Sequence, residues 1–125
     1  MSAVFVQPKV VRINLTCEPG AYIDVKHRLN AGQQRHQFGR MVKTMRAGET
    51  IDLDPEQVGI SKIMAYLVGW SFENGGVPVS VTDEAVDNLD PDVYEEIRQA
   101  IEAHEEGVTA ERTEEKKALA SATAS

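Results

Sequence analysis

The feature that most constrains this chain is an apolar stripe near its C-terminal end: Val93, Ile97, Ala100, Ile101 and Val108 recur at i, i+4, i+7, i+8 and i+15 behind an Asp90-Pro91 pair. That spacing places them along one side of an α-helix. Proline suits the first helical position because the N–H it lacks would go unpaired there. A helix that is apolar on one side and acidic elsewhere needs a surface to lie on, so the rest of the chain has to supply one.

Two upstream runs have the right pattern. Val11, Ile13 and Leu15 alternate with Arg12 and Asn14, and Ala21, Ile23 and Val25 alternate with Tyr22, Asp24 and Lys26. Period-2 alternation predicts half-buried strands, and Glu18-Pro19-Gly20 between them predicts a turn, so the pair reads as a β-hairpin. Asn30 then caps a helix, with Gln33 at the third helical position and a stripe of Phe38, Met41, Val42 and Met45. Gly39 interrupts that stripe, and Arg46-Ala47-Gly48-Glu49 closes it.

Thr50–Leu53 reads as a short strand and Asp54-Pro55 as a helix start. Val58–Phe72 carries two periods at once. Ile60, Ile63, Met64 and Leu67 have helical spacing, whereas Met64, Tyr66, Val68, Trp70 and Phe72 alternate. The reading is a short helical turn at Pro55–Val58 and then a buried strand through Trp70, with a continuous helix as the alternative. Glu73-Asn74-Gly75-Gly76 is a tight turn, and Thr82 or Ser80 caps a short helix carrying Ala85, Val86 and Leu89. Trp70, the largest apolar side chain, is expected to be largely buried beside Ile97 and Ile101.

The expected architecture is α+β: an N-terminal β-hairpin with a small sheet packed against two or three helices, one of them the long acidic C-terminal helix. Residues 9–108 form one domain, between a flexible stretch 1–8 and a mobile polar Ala/Ser/Thr-rich tail 109–125. A length of 125 residues suffices for one core without covalent staples, and the single Cys17 has no partner for an intrachain disulfide. The richest apolar run, Ile63–Trp70, is too short to span a bilayer, and no secretory signal pattern is present, so a soluble intracellular chain is expected.

Charge is unevenly placed within a net of −7. Lys26, Arg28, Arg35, Arg40, Lys43 and Arg46 form a basic stretch without an acid, while the ten acids between Asp83 and Glu106 have Arg98 as their one Lys or Arg neighbour. The overall sign disfavours nucleic acid as a partner. The outward carboxylates Glu95, Glu96, Glu102 and Glu106, and the opposite pole of Arg35, Arg40 and Lys43, are the candidate protein-binding residues. The basic pole is the better candidate for self-association.

Catalytic and metal chemistry find little footing. His27, His36 and His104 lack a second ligand at metal-binding spacing. Asp52, Asp54 and Glu56 alternate like the start of a calcium loop, but the turn glycine and distal glutamate are missing. Cys17 lies beside Glu18, whose charge disfavours a thiolate, so it is expected to be inert and half-buried. No phosphate-loop pattern occurs. Neither a catalytic residue, a cofactor nor a metal is expected.

One arrangement is more specific. Trp70-Ser71-Phe72, the glycine turn, Val77-Pro78-Val79-Ser80-Val81-Thr82, the acidic run Glu84–Pro91 and a helix ending in Ala100–Glu105 follow an early Tyr22-Ile23-Asp24-Val25-Lys26 strand. From Glu18 to Lys117 this resembles the tail assembly chaperones of long-tailed bacteriophages. The resemblance implies a non-enzymatic protein that binds the tape measure protein or tail tube subunits in the host cytoplasm while the tail polymerises. A small structural virion protein of the head, neck or tail is the alternative.

Overall fold

The computed structural model describes residues 5–44, 52–53 and 55–123. Its elements run β1 (Val10–Asn14), β2 (Tyr22–Lys26), α1 (Ala31–Met41), β3 (Val42–Thr44), β4 (Asp52–Leu53), α2 (Pro55–Tyr66), β5 (Leu67–Trp70), β6 (Glu73–Asn74), β7 (Val77–Pro78), α3 (Asp83–Asp87) and α4 (Pro91–Thr123). The architecture is α+β, with the N-terminal hairpin, a small sheet and several packed helices including the long C-terminal one. Strands β1, β2 and β5 form an antiparallel sheet in that order, while β3–β4 and β6–β7 are two-stranded ribbons.

The hairpin follows its alternation. Ile13 lies opposite Ile23 and Val11 opposite Val25. Gly20 takes a φ of 78°, open to glycine and strained for other residues, and the Leu15 N–H donates to the Ala21 carbonyl at 2.9 Å to close the turn. Ile23 and Val25 are fully buried, so the inner face of β2 is the apolar surface the C-terminal helix requires. On the outer face Arg12 sits opposite Asp24, donates to it at 2.9 Å, and lies 3.8 Å from the centre of the Tyr22 ring.

Both periods in Val58–Phe72 are real, each over its own stretch. The helix is not a short turn ending at Val58 but twelve residues long, and the strand covers just Leu67–Trp70. Ile63 is fully buried in the core cluster that also holds Leu15, Ala21, Ile23, Val25, Leu29, Val86, Ile97 and Ile101, and this burial favours the helical spacing there. At Tyr66 the chain passes straight into β5, which pairs with β2. Gly59 marks a close approach of α2 to α4, since a Cβ there would come within 3.1 Å of the Tyr94 hydroxyl and 3.3 Å of Arg98 Cδ.

Helix α1 starts as expected and ends sooner. Gln33 N–H donates to Asn30 Oδ1 at 2.8 Å and Asn30 N–H to Gln33 Oε1 at 2.9 Å, a reciprocal cap. Its apolar stripe is not continued, because Val42 leaves the helix to pair as strand β3 with Leu53. The side turned inward carries Gln37, 8% exposed, while Phe38 remains 44% exposed. Met45, the closing segment 46–49, the first half of the Thr50–Leu53 strand and Asp54 lie outside the described residues.

The glycine turn has φ values of 61° and 83° at Gly75 and Gly76 and joins β6 to β7. Trp70 is half-buried rather than a central anchor. Its indole N–H needs an acceptor and finds the Val79 carbonyl at 2.7 Å, while its ring lies 5.3 Å from Phe72. It thereby fastens the sheet edge to the segment beyond β7. Thr82, not Ser80, caps α3 by accepting from Ala85 N–H at 3.0 Å.

Helix α4 is longer than its apolar stripe. Ile97 and Ile101 are fully buried. Val108 is the last position of the stripe read from the sequence, yet the helix continues through the segment read as tail to Thr123, 33 residues or roughly 50 Å. Beyond Val108 that side of the helix is held by polar contacts to the residues after β2. Glu111 reaches His27 at 3.6 Å and Glu115 reaches Arg28 at 3.4 Å. These positions follow Val108 at i+3 and i+7, the same side of the helix.

The core placement ranks two substitutions. Ile97→Ala should lower the unfolding free energy by about 2–5 kcal/mol, and Trp70→Phe, which keeps an aromatic ring and loses one hydrogen bond, by about 1 kcal/mol. Urea denaturation of both variants checks this, and the reverse ranking would move the structural centre to Trp70.

Candidate functional site

The acidic and basic stretches meet at one pair, and each also pairs with a residue outside the other. Arg40 pairs with Asp83 at 3.2 Å, Lys62 with Glu105 at 3.3 Å and Arg28 with Glu115 at 3.4 Å. Partly exposed pairs of this kind add little stability, but each engages charge that a partner would otherwise meet.

Each carboxylate proposed from sequence has its own surroundings. Arg98 lies between Glu95 and Glu102, donating through Nε to Glu95 Oε2 at 3.0 Å, through its second terminal nitrogen to Glu95 Oε1, and to Glu102 at 2.8 Å. The fork on Glu95 lowers that carboxyl's pKa and raises that of Arg98. Glu96 faces the hairpin turn, where its Oε2 accepts from the Thr16 hydroxyl at 2.6 Å and the Thr16 N–H at 2.8 Å. Those hydrogen bonds lower its pKa and make Glu96 a tie between residues 80 apart in the chain. Glu106 is exposed and joins no ion pair among the described residues.

The basic candidates also divide. Arg35 is exposed on α1 and Arg40 faces Asp83. Lys43 falls on β3 rather than on the helix, so it does not line one side with Arg35 and Arg40, and its side chain lies outside the described residues.

Between α1 and α2 lies a cleft of about 520 Å³. One wall is the inner side of α1, with Gln33, His36, Gln37 and Arg40 at helical spacing, and the other is Ser61, Met64 and Ala65 of α2. Lys26, Asn30 and Gly32 line it from the end of β2 and the start of α1, and Asp83 from the start of α3. The cleft combines an apolar wall with several cationic and amide groups, a common composition for small-ligand sites.

A second cluster joins β2 to α4. His104 Nε2 is 3.1 Å from both the Lys26 and His27 carbonyls, so the proton sits on Nε2 and is shared between two acceptors. Tyr66 packs edge-on to that ring, and burial with the neighbouring Glu105 pushes its hydroxyl pKa up to about 12. Arg28 Nε is buried without a hydrogen-bond partner among the described residues.

Comparison with known protein families, with curated proteins and with solved structures finds no match. The tail-chaperone resemblance therefore rests on the sequence pattern alone. Among the described residues no group of three or more His, Cys, Asp or Glu is placed to hold a metal ion, and no helix is long and apolar enough to cross a membrane. Cys17 is exposed rather than half-buried, because it sits in the hairpin turn; partial desolvation, Glu96 and Glu18 raise its thiol pKa.

Sequence reasoning missed Gln37, Ser61 and His104. Gln37 was hidden by the Phe38 stripe one position away, and Ser61 lies within an apolar run. His104 belongs to the inward side of α4, at i+3 from Ile101, and that spacing was available to find it.

The Glu96 tie has a pH signature. A carboxyl whose folded pKa is depressed contributes stability that is present above its unfolded value near 4.5 and is lost as pH falls through the lower folded value. Glu96→Gln should therefore lower the melting temperature at neutral pH and narrow its gap to wild type as the medium is acidified below about pH 4. Thermal melts across that range check the sign; a gap that widens on acidification would mean Glu96 is not stabilised as an anion.

Proposed function

We propose that the chain is a non-enzymatic protein-binding factor of bacteriophage tail assembly, holding tape measure or tail tube subunits in the host cytoplasm before they polymerise. The observation that carries the reading is the C-terminal half of α4. From Thr109 to Ala118 the helix is solvent-exposed yet tied at Glu111 and Glu115 to the end of β2, which presents a charged helical rod beside the domain. A helix polar on most sides suits solvent or another protein better than this chain's own core.

The residues behind the resemblance support a binding role in a second way. Trp70, Gly75, Gly76 and Asp90 serve a sheet-edge hydrogen bond, a turn and a helix cap, so the pattern describes a scaffold and leaves the exposed surfaces for contact. Glu106 carries the acidic contact, with Glu95 and Glu102 contributing through the Arg98 cluster, and the rod adds a mixed-charge surface. Arg35 is the exposed basic residue for association with a second copy.

The test uses tagged full-length chain in infected cells, with captured proteins identified by mass spectrometry. Tape measure or tube proteins should be recovered by wild type and lost on truncation after Ala110. That truncation removes the exposed contacts of Glu111 with His27, Glu115 with Arg28 and Glu114 with Lys117 and should lower stability by no more than about 1–2 kcal/mol. Recovery of no tail protein, or equal recovery by the truncated chain, would overturn the assignment. Stoichiometric presence in purified virions would instead identify a structural virion protein.

A further inference from the structure

Strand β1 is an open edge of the three-stranded sheet, paired with β2 alone. The opposite edge is fastened down, because the Trp70 indole N–H donates to the Val79 carbonyl at 2.7 Å and the Val79 N–H to the Phe72 carbonyl at 3.2 Å. Hydrogen bonds at the two ends of β1 fix which way its backbone faces. The Lys9 carbonyl accepts from the His27 N–H at 2.8 Å and the Leu15 N–H donates to the Ala21 carbonyl at 2.9 Å, so antiparallel alternation turns the polar groups of odd-numbered residues toward β2. Val10, Arg12 and Asn14 turn theirs outward, and among the described residues nothing hydrogen-bonds to them there. The open run has definite ends. Pro8, the next outward position on one side, lacks an N–H, and on the other side the Thr16 N–H is already held by Glu96 at 2.8 Å.

An edge of this kind is completed by another extended strand, and its details fit a second copy of β1. The run Pro8–Asn14 is centred on Val11. A two-fold axis at Val11 therefore sets Val10 against Arg12 of the other copy and Asn14 against its Pro8, where a carbonyl without an N–H meets the Asn14 donor. On the inner face Val11 and Ile13 lie at the margin of the core and are partly exposed; the same register covers them with the second Val11 and with the aliphatic stem of the second Lys9. Charge permits the approach, because the two Arg12 guanidinium groups fall on diagonal positions and each already carries its counter-charge in Asp24, at 2.9 and 3.3 Å. Phe5 and Val10, 79% and 55% exposed, and Val6 beside them add apolar surface on and just ahead of the strand.

We propose that the chain forms a symmetric dimer by antiparallel pairing of β1 with β1 of a second copy, which joins two three-stranded sheets into one continuous sheet. Backbone groups make the contact, and the exposed rod of α4 takes no part in it. The pairing therefore stands or falls separately from the capture of tail proteins, and it uses a different surface from Arg35.

Sedimentation equilibrium of the full-length chain should show monomer and dimer in exchange with a Kd of about 1–100 μM. Val10→Pro removes an outward N–H and leaves the bonds to β2 in place, so the variant should stay folded by circular dichroism and weaken the dimer by about tenfold or more. Asp24→Asn uncovers Arg12 and should weaken it several-fold at low salt and less at high salt. Amide exchange in the unaltered protein needs no variant: the Val10, Arg12 and Asn14 N–H groups should exchange more slowly at high protein concentration than at low, whereas Val11 and Ile13 exchange slowly at both. A chain still monomeric at about 1 mM, exchange at those three amides that ignores concentration, or an undiminished dimer in folded Val10→Pro would overturn the pairing. A dimer lost in Arg35→Glu and kept in Val10→Pro would move the contact to α1 and overturn it as well. Unchanged affinity in Asp24→Asn would overturn the register centred on Val11.

Discussion

The structure depends on Ile97 and Ile101 having an apolar sheet face in the same core. Both are fully buried together with Ile23 and Val25 of β2 and Ile63 of α2. A hairpin alone has marginal stability in water because one of its faces would expose β-branched side chains, and an acidic helix alone would expose its stripe. Each element is conditional on the other. Gly59 lets α2 approach α4 closely, and Glu96 and His104 fasten α4 to opposite ends of the hairpin through its backbone.

Around that core, electrostatics does the opposite of what a linear reading of charge implies. The basic and acidic stretches look like two poles waiting for separate partners. Folding instead places Arg40 of the basic stretch on Asp83 of the acidic one, and pairs Arg28 and Glu105 with Glu115 and Lys62, which lie outside both stretches. Self-neutralisation reduces the field at long range. It also transfers the recognition potential to positions left outside the pairs, such as Glu106 and Arg35.

Local patterns were legible wherever a backbone rule had one solution. Glu18-Pro19-Gly20 and Gly75-Gly76 mark turns because few other residues accept their φ values, and Asn30 with Gln33 marks a cap because the two amides fit each other's backbone groups. Asp90-Pro91 is equally direct. What the pattern did not reveal was decided by tertiary partners. Val42 leaves its helix for a strand partner in β4, Trp70 goes to the edge because its N–H needs the Val79 carbonyl, and α4 outlasts its apolar stripe with polar contacts at His27 and Arg28. The candidate site suffered most. Burial of Gln37 and neutralisation of Arg40 depend on α2 and α3, elements that sequence spacing within α1 does not describe.

The tie between the hairpin and α4 also orders events during synthesis. Val25 precedes Ile97 by 72 residues, so at a translation rate of about 5–20 residues per second the inner face of the hairpin waits roughly 4–15 s for its cover to emerge. Until then Ile23 and Val25 belong to an uncovered strand surface, the kind that pairs with other nascent chains. A protein whose first strands are completed by a helix so far along the chain carries an uncovered strand face throughout that interval, and crowded translation of many copies exposes it most to aggregation.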